Sequence, residues 1–287
     1  MIEFIESHRG KPICQTFKDL AARTWNYLAE GARIGMPPGE ETLTDENLMA
    51  ILALHASQVA IWRFTKHRES QVGADWEWWF GNPTNGWFGM RVQAKKLDLK
   101  QFSSYYGVDH PDHTNQQIDA LIRESQSAGL FPAYCLYNTH LSPRLPEWGC
   151  SITSAVAMRS ALGQPQARRS HAVAFKDIEK YLFPWHRLVC HPETGHPDGG
   201  GFPDLVRNSI LPGLPSSLQG EVPETHPELP DYARKLVGEV TASLENKMIP
   251  AVDTMELEFP TQYLVVVSDQ PIFPRFIIDE MKPFREK

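Results

Sequence analysis

The sequence predicts an α/β fold, a small mixed sheet carrying helices on its faces, and three observations lead there. Segments with apolar residues at helical spacing alternate with short runs rich in aromatic and β-branched residues. Those segments follow one another as helix, three strands, helix, strand. Two of the strand-like runs flank Gly81-Asn82-Pro83-Thr84-Asn85-Gly86, whose composition is that of a tight turn joining a hairpin.

Each element has its own warrant. Over Thr16 to Ile34, residues Phe17, Leu20, Ala21, Trp25, Leu28 and Ala29 recur at helical spacing, and Gly35 with Pro37-Pro38-Gly39 ends the run. A second helix is expected from Thr44, a residue suited to an N-cap, with Asp45 and Glu46 in its first turn. Its apolar face would be Leu48, Ile51, Leu52 and Val59. Ile61 to Phe64, Trp76 to Phe80 and Trp87 to Ala94 read as strands. Asn115 to Ala128 reads as a helix with Ile118, Leu121, Ile122 and Ser125 on one face, and Phe131 to Tyr137 as an apolar strand. Beyond Pro143, helices are expected at Thr153–Leu162, Phe175–Tyr181 and Asp231–Asn246, long loops from His191 to Pro230, and a late strand from Gln262 to Val267. The expected division is a core with its N-terminal helix over residues 1–142 and an extension over 143–287.

The bulk composition narrows the function classes. A chain of 287 residues with 41% hydrophobic and 22% charged content is globular rather than disordered. The net charge of −7 leaves no general affinity for phosphate, so binding to nucleic acid would need a local basic strip. Arg159, Arg168, Arg169, Lys176, Lys180 and Arg187 are the candidates for it, or else form an ordinary solvated face. Met1 to Lys11 lacks the apolar core of a leader peptide, and no apolar run reaches membrane-spanning length. Cys14, Cys135, Cys150 and Cys190 have no framework spacing, so free thiols in the cytoplasm are expected. Cys150, Cys190, His191 and His196 lack the paired spacing of a zinc site. No Gly-rich phosphate loop or Gly-x-Ser-x-Gly elbow is present.

The stretch with chemical content runs from Glu69 through Gly73-Ala74-Asp75-Trp76-Glu77-Trp78-Trp79, then past the turn to Val92-Gln93-Ala94-Lys95-Lys96-Leu97. Alternate side chains of a strand share a face, so Asp75 and Glu77 point one way and Trp76 and Trp78 the other. Gln93 and Lys95 likewise share a face of the neighbouring strand. Polar groups in so aromatic a hairpin are costly to bury unless they bind something. Their types suit Mg²⁺ or Mn²⁺, hard cations that take oxygen ligands and keep water. Asp75 would supply a carboxylate, Gln93 its amide oxygen and Ala94 its carbonyl, with Glu69 and Glu77 as reserve ligands. Lys95 would sit beside the attacking water and balance charge developing on a phosphate.

Gly-x-Asp, a turn and Gln-x-Lys inside this order of elements resembles the PD-(D/E)XK nuclease superfamily, in the Gln-x-Lys variant of Mrr-like restriction enzymes. The run Gly-Ala-Asp-Trp-Glu-Trp-Trp followed by Val-Gln-Ala-Lys-Lys-Leu looks more closely like an uncharacterised bacterial family sharing that core. The resemblance covers about Thr42 to Asn138, roughly a third of the chain. It implies a restriction-endonuclease-like α-β-β-β-α-β core with a mostly helical and loop C-terminal extension. It also implies Asp75 as metal ligand, Gln93 at the substituted acidic position and Lys95 as the catalytic lysine. A helix glutamate of the superfamily would fall at Glu41 or Glu46, and Gln116 or Gln117 would lie near the site or form a solvated helix start. The implied activity is DNA hydrolysis in restriction or another anti-phage role, with RNA an open variant. The implied partners beyond nucleic acid are a second copy of the chain or a subunit of a defence complex. Glutamine ligates metal more weakly than glutamate. That keeps open a rival reading, a catalytically idle nuclease-fold protein acting as a nucleic-acid-binding or scaffold subunit.

Overall fold

A computed structural model of the chain describes residues 1–64, 72–99, 103–109, 117–139, 145–163, 171–190, 201–214, 216–245 and 259–272. The chain opens with helices α1 (Ile2–His8), α2 (Ile13–Ile34) and α3 (Glu40–His55). The first of these was not expected from sequence. Gly35 ends α2 in the left-handed conformation, its N–H returning to Gly31 and Ala32. Helix α3 begins at Glu40, a full turn before Thr44. Gly39 serves as its N-cap after the prolines, and Glu40 and Glu41 lie in the positive end of the helix dipole. Thr44 is inside the helix, where its hydroxyl donates to the Glu40 carbonyl and meets the Tyr137 hydroxyl at 2.8 Å. Val59 belongs to the first strand rather than to the apolar face of α3.

Strands β1 (Val59–Arg63), β2 (Trp76–Asn82) and β3 (Gly86–Asp98) follow, with β2 and β3 paired as the expected hairpin from Trp76↔Val92 to Asn82↔Gly86. After β4 (Ser104–Tyr105) come α4 (Gln117–Ser127) and β5 (Phe131–Tyr137), which pairs parallel with β3. A parallel neighbour requires a crossover, and α4 provides it. The later chain adds β6 (Cys150–Ser154), α5 (Ala155–Leu162), β7 (Val173–Ala174), α6 (Phe175–Ile178), β8 (Phe183–Pro184), α7 (Phe202–Ile210), α8 (Asp231–Glu245) and β9 (Tyr263–Val267). Cys150–Ser154 is a strand because it pairs with β5, and the helix expected from Thr153 starts only after Ser154, whose hydroxyl accepts from the Val156 N–H at 3.1 Å. Helix α7 lies where long loops were expected, with Gly201 as N-cap and Pro203 in its first turn.

The fold is a mixed α/β architecture in which nine strands among the described residues form one mixed sheet. Its main path runs β1-β9-β2-β3-β5-β6-β8. Strand β9 is antiparallel to β1 and parallel to β2, so the end of the chain is inserted between two strands from its beginning. The boundary expected at residue 142 therefore falls within elements of one sheet, three of whose main-path strands, β6, β8 and β9, come from the later half.

Side-chain alternation divides the sheet into two faces. One carries Trp76, Trp78, Phe80, Phe88, Met90 and Val92 under α2, α3 and α7 in the largest apolar cluster. The other carries two clusters. Tyr134 and Leu136 pack under α4 and α5, while Trp79, Leu264 and Val266 pack under α8. Between those two clusters, Glu77, Arg91, Gln93 and Lys95 form a buried polar seam along the middle of the sheet.

Two cysteines depart from the expectation of free thiols. Cys14 and Cys190 form a disulfide across 176 positions of sequence, whereas Cys135 and Cys150 are free and buried. Spacing rules see only local frameworks and carry no signal for a bridge of that span. The bridge also removes Cys190 from any metal-binding set, while His191 and His196 lie outside the described residues. No helix among the described residues is long and apolar enough to cross a membrane.

Candidate active site

The seam opens where β2 begins. Asp75 stands just before that strand and is held by its backbone on both sides. Its N–H donates to Val92 O at 2.8 Å, and its carbonyl accepts from Gln262 N at 2.8 Å and Tyr263 N at 3.2 Å. Gly73 permits the approach. Its φ is +71°, and a Cβ at that position would lie 2.5 Å from the Gln117 carbonyl oxygen, so the Gly-x-Asp spacing has a steric cause.

Beyond Val92, β3 has run past the start of β2, and carboxylates occupy two of its backbone donors. Ala94 N–H donates to Asp75 Oδ2 at 2.6 Å, and Lys96 N–H donates to Glu40 Oε1 at 3.0 Å. These anchor points are two residues apart, roughly 7 Å along a strand. Gln93 Nε2 also donates to Asp75 Oδ2 at 2.8 Å. Lys95 is 7% exposed, and its ammonium stands 3.6 Å from Glu40 Oε2. Lys96 Nζ donates to the Pro38 carbonyl at 2.7 Å, fastening the loop before α3 to the strand. Asp75 thus meets Gln93 and Ala94 directly, while Lys95, on the same face of β3 as Gln93, is placed by its pairing with Glu40.

Of the acidic residues around the start of α3, Glu40 reaches β3, bonding Lys96 N–H and facing Lys95. Glu41 is exposed, and Glu46 pairs with Arg23 at 2.7 Å. The sequence signal for Glu40 is an acidic residue directly after Pro37-Pro38-Gly39. Gln117 is not a solvated helix start, since its Nε2 donates to Gln93 Oε1 at 3.1 Å. Gln116, Glu69 and His67 lie outside the described residues.

Glu77 shares the face of Asp75 but has a separate set of partners. It is fully buried, and its carboxylate accepts from Arg91 Nε at 3.1 Å, from Trp79 Nε1 at 2.8 Å and from the Tyr232 hydroxyl. Arg91 is held in turn by the Glu124 carbonyl at 2.8 Å. Burial, and then the neighbouring Glu77 charge, push the Tyr232 phenol far above its ordinary range, so Tyr232 remains a donor to Glu77.

The donor set at Asp75 fits a hard divalent cation. Its atoms are the Asp75 carboxylate, the Ala94 carbonyl and the Gln93 amide, whose NH₂ faces both of these and whose oxygen would reach a cation only after half a turn. Among the described residues no group of three or more His, Cys, Asp or Glu side chains is placed to hold a metal. A carboxylate with neutral oxygens and water suits Mg²⁺ or Mn²⁺ better than zinc. Of the candidate basic strip, Lys176, Lys180 and Arg187 are exposed, Arg159 pairs with Asp119 at 3.2 Å, and Arg168 and Arg169 lie outside the described residues.

No protein of established function matches the chain. Residues 13–270 match the profile of the family of unknown function DUF6615, which spans well over half of the sequence, and the chain belongs to that family.

Proposed function

We propose that the protein is a divalent-metal-dependent nuclease with a PD-(D/E)XK-like core, hydrolysing DNA phosphodiester bonds in restriction or another anti-phage role. The observation that carries this reading is the contact of Asp75 with Gln93 and Ala94 at the open end of the hairpin, with Lys95 on the same strand face as Gln93 and paired with Glu40. Helix α3, strands β1 to β3, helix α4 and strand β5 follow the element order of such a core, with the two-residue strand β4 added between β3 and α4, which supports the same reading.

In this scheme Asp75, the Gln93 amide oxygen and the Ala94 carbonyl hold Mg²⁺ or Mn²⁺, which when bound polarises the phosphate and lowers the pKa of water. Lys95 works beside it. Glu40 holds the ammonium at 3.6 Å, which keeps the long side chain extended toward the phosphate position. From there it stabilises the charge that grows on the non-bridging oxygens. Water adds to phosphorus and gives up a proton to solvent, one P–O ester bond breaks, and the departing alkoxide takes up a proton from solvent. With a net charge of −7 the chain would meet DNA only through local cations, for which Lys176, Lys180 and Arg187 are exposed. RNA is the variant substrate for the same chemistry.

The test is nicking of supercoiled plasmid with Mg²⁺ or Mn²⁺. The wild-type chain is expected to cut, and Lys95→Ala to lose at least about a hundredfold in rate, as when one electrostatic group at a transition state is removed. Equal cutting by both proteins, or none with either metal, overturns the proposal.

One observation favours the second reading, a nuclease fold used as a binding or scaffold subunit. Asp75 Oδ2 already accepts from Gln93 and Ala94, and Lys95 already faces Glu40, so the polar groups neutralise one another without a ligand. That reading expects no heat of Mn²⁺ binding in calorimetry and no change in nucleic-acid affinity on Lys95→Ala.

A further inference from the structure

Two side-chain amides stand in line behind the Asp75 carboxylate. Gln93 Nε2 donates to Asp75 Oδ2 at 2.8 Å, and Gln117 Nε2 donates to Gln93 Oε1 at 3.1 Å. At the far end of the line, Gln117 Oε1 is buried and has no hydrogen-bond partner among the described residues. The carboxylate dictates these directions. An ionised carboxylate only accepts, so Gln93 must turn its NH₂ toward Asp75. Its oxygen then faces Gln117, which must answer with its own NH₂. The unmatched acceptor is pushed to the end of the row, where a buried oxygen without a donor is disfavoured.

We infer that Gln93 and Gln117 form a coupled amide relay with two settings, and that Gln117, at the start of α4, is the positioning residue that governs which atom Gln93 turns toward Asp75. The inference rests on the cation site proposed above. A cation beside Asp75 needs an acceptor where Gln93 presents a donor. Half a turn of the Gln93 amide supplies its oxygen, and since O and NH₂ have nearly the same shape, the surrounding packing does not resist. Gln93 NH₂ then faces Gln117, which must turn in the same way to offer Oε1. Neither amide can turn alone, because donor would meet donor or acceptor would meet acceptor. The bond between the amides survives in both settings. The backbone of Gln117 cannot absorb the change, because Gly73 packs directly against its carbonyl. The empty-site setting of the pair thus lowers the apparent affinity for the cation.

The relay is tested in the full chain with ¹⁵N-labelled glutamine side chains, using Mg²⁺ as the probe for spectra and Mn²⁺ for calorimetry. The NH₂ signals of Gln93 and Gln117 are expected to move together along one binding curve, while those of Gln15, bonded to Asp19 on α2, stay in place. Gln117→Glu can only accept, so it competes with Asp75 for the Gln93 NH₂ and favours the setting with the Gln93 oxygen toward a cation, and Mn²⁺ should bind about tenfold tighter. Gln117→Met removes the same bond from both settings and should leave the affinity within about threefold, whereas a merely supporting residue near a metal ligand would lose about 10–100-fold. Movement of the Gln93 signals without those of Gln117, weaker binding by Gln117→Glu, or a large loss in Gln117→Met overturns the relay. Silent Mn²⁺ calorimetry on the wild-type chain has a different meaning, because it removes the cation site itself and the relay with it.

Discussion

At the scale of single residues, Gln93 decides the character of the site. Its NH₂ donates to Asp75 Oδ2, standing where the proposed cation would bind. Gln93→Glu removes that donor and sets two carboxylates facing each other in a position where residue 93 is 3% exposed. Without metal the variant should melt lower than the wild type, because like charges are then held together with little solvent. With Mn²⁺ it should bind about tenfold tighter, since one ligand charge has been added. Thermal melts with and without Mn²⁺ check both parts, and equal metal-induced shifts in the two proteins would remove residue 93 from the cation site. Glu40 illustrates how far residue-level reading goes. It bonds Lys96 N–H and faces Lys95 from a helix packed on the opposite face, a relation across more than fifty positions that no local motif encodes. Gln93 and Lys95 were readable because i and i+2 on a strand must share a face.

At the scale of elements, the hairpin β2–β3 separates two polar sets along one seam. Asp75, Gln93 and Lys95 lie at its open end, while Glu77 and Arg91 form a directly opposed pair one step further in. Arg91→Leu leaves a fully buried Glu77 carboxylate without its cation and should destabilise the fold by about 3–5 kcal/mol in urea titrations. Adding Glu77→Gln to that variant should recover most of the loss, because the uncompensated charge is gone. Glu77→Gln alone should leave Mn²⁺ affinity unchanged, and a fall of tenfold or more would bring Glu77 into the cation site after all. The hairpin itself was legible from its turn residues and its aromatic alternation. The early start of α3 was not, because Gly39 and the first-turn acids Glu40 and Glu41 outweigh the capping preference of Thr44, whose hydroxyl finds Glu40 O and Tyr137 instead.

At the scale of the whole molecule, stability should depend on two buried histidines. Burial lowers His55, which bonds the Thr16 hydroxyl at 2.8 Å, from 6.5 to about 4. His186 is lowered to about 4 by burial and by the nearby charges of Lys18 and Arg187. Both are neutral in the folded chain and take up protons more readily when unfolded. Their contribution is complete above pH 6.5 and is lost as the pH falls toward 4. Urea midpoints should therefore drop between pH 6.5 and 5, a window above most carboxylate titration, and the double variant His55→Gln, His186→Gln should flatten that slope. An unchanged slope in the double variant would place the pH dependence elsewhere.

By itself, the sequence determined the local elements and the identity of the chemical row. Helix and strand periodicity, turn residues and the two-residue alternation of a strand are short-range properties that a chain carries with it. They sufficed for β2, β3, β5 and the shared face of Gln93 and Lys95. Only the tertiary structure decided that β9 enters between β1 and β2, that Cys14 meets Cys190, that Glu40 reaches Lys95, and that Gln117 stands behind Gln93. Each of these joins residues far apart in sequence. Such contacts are selected by burial and by the pairing of backbone and side-chain polar groups throughout the assembled chain, and no window of neighbouring residues contains that information.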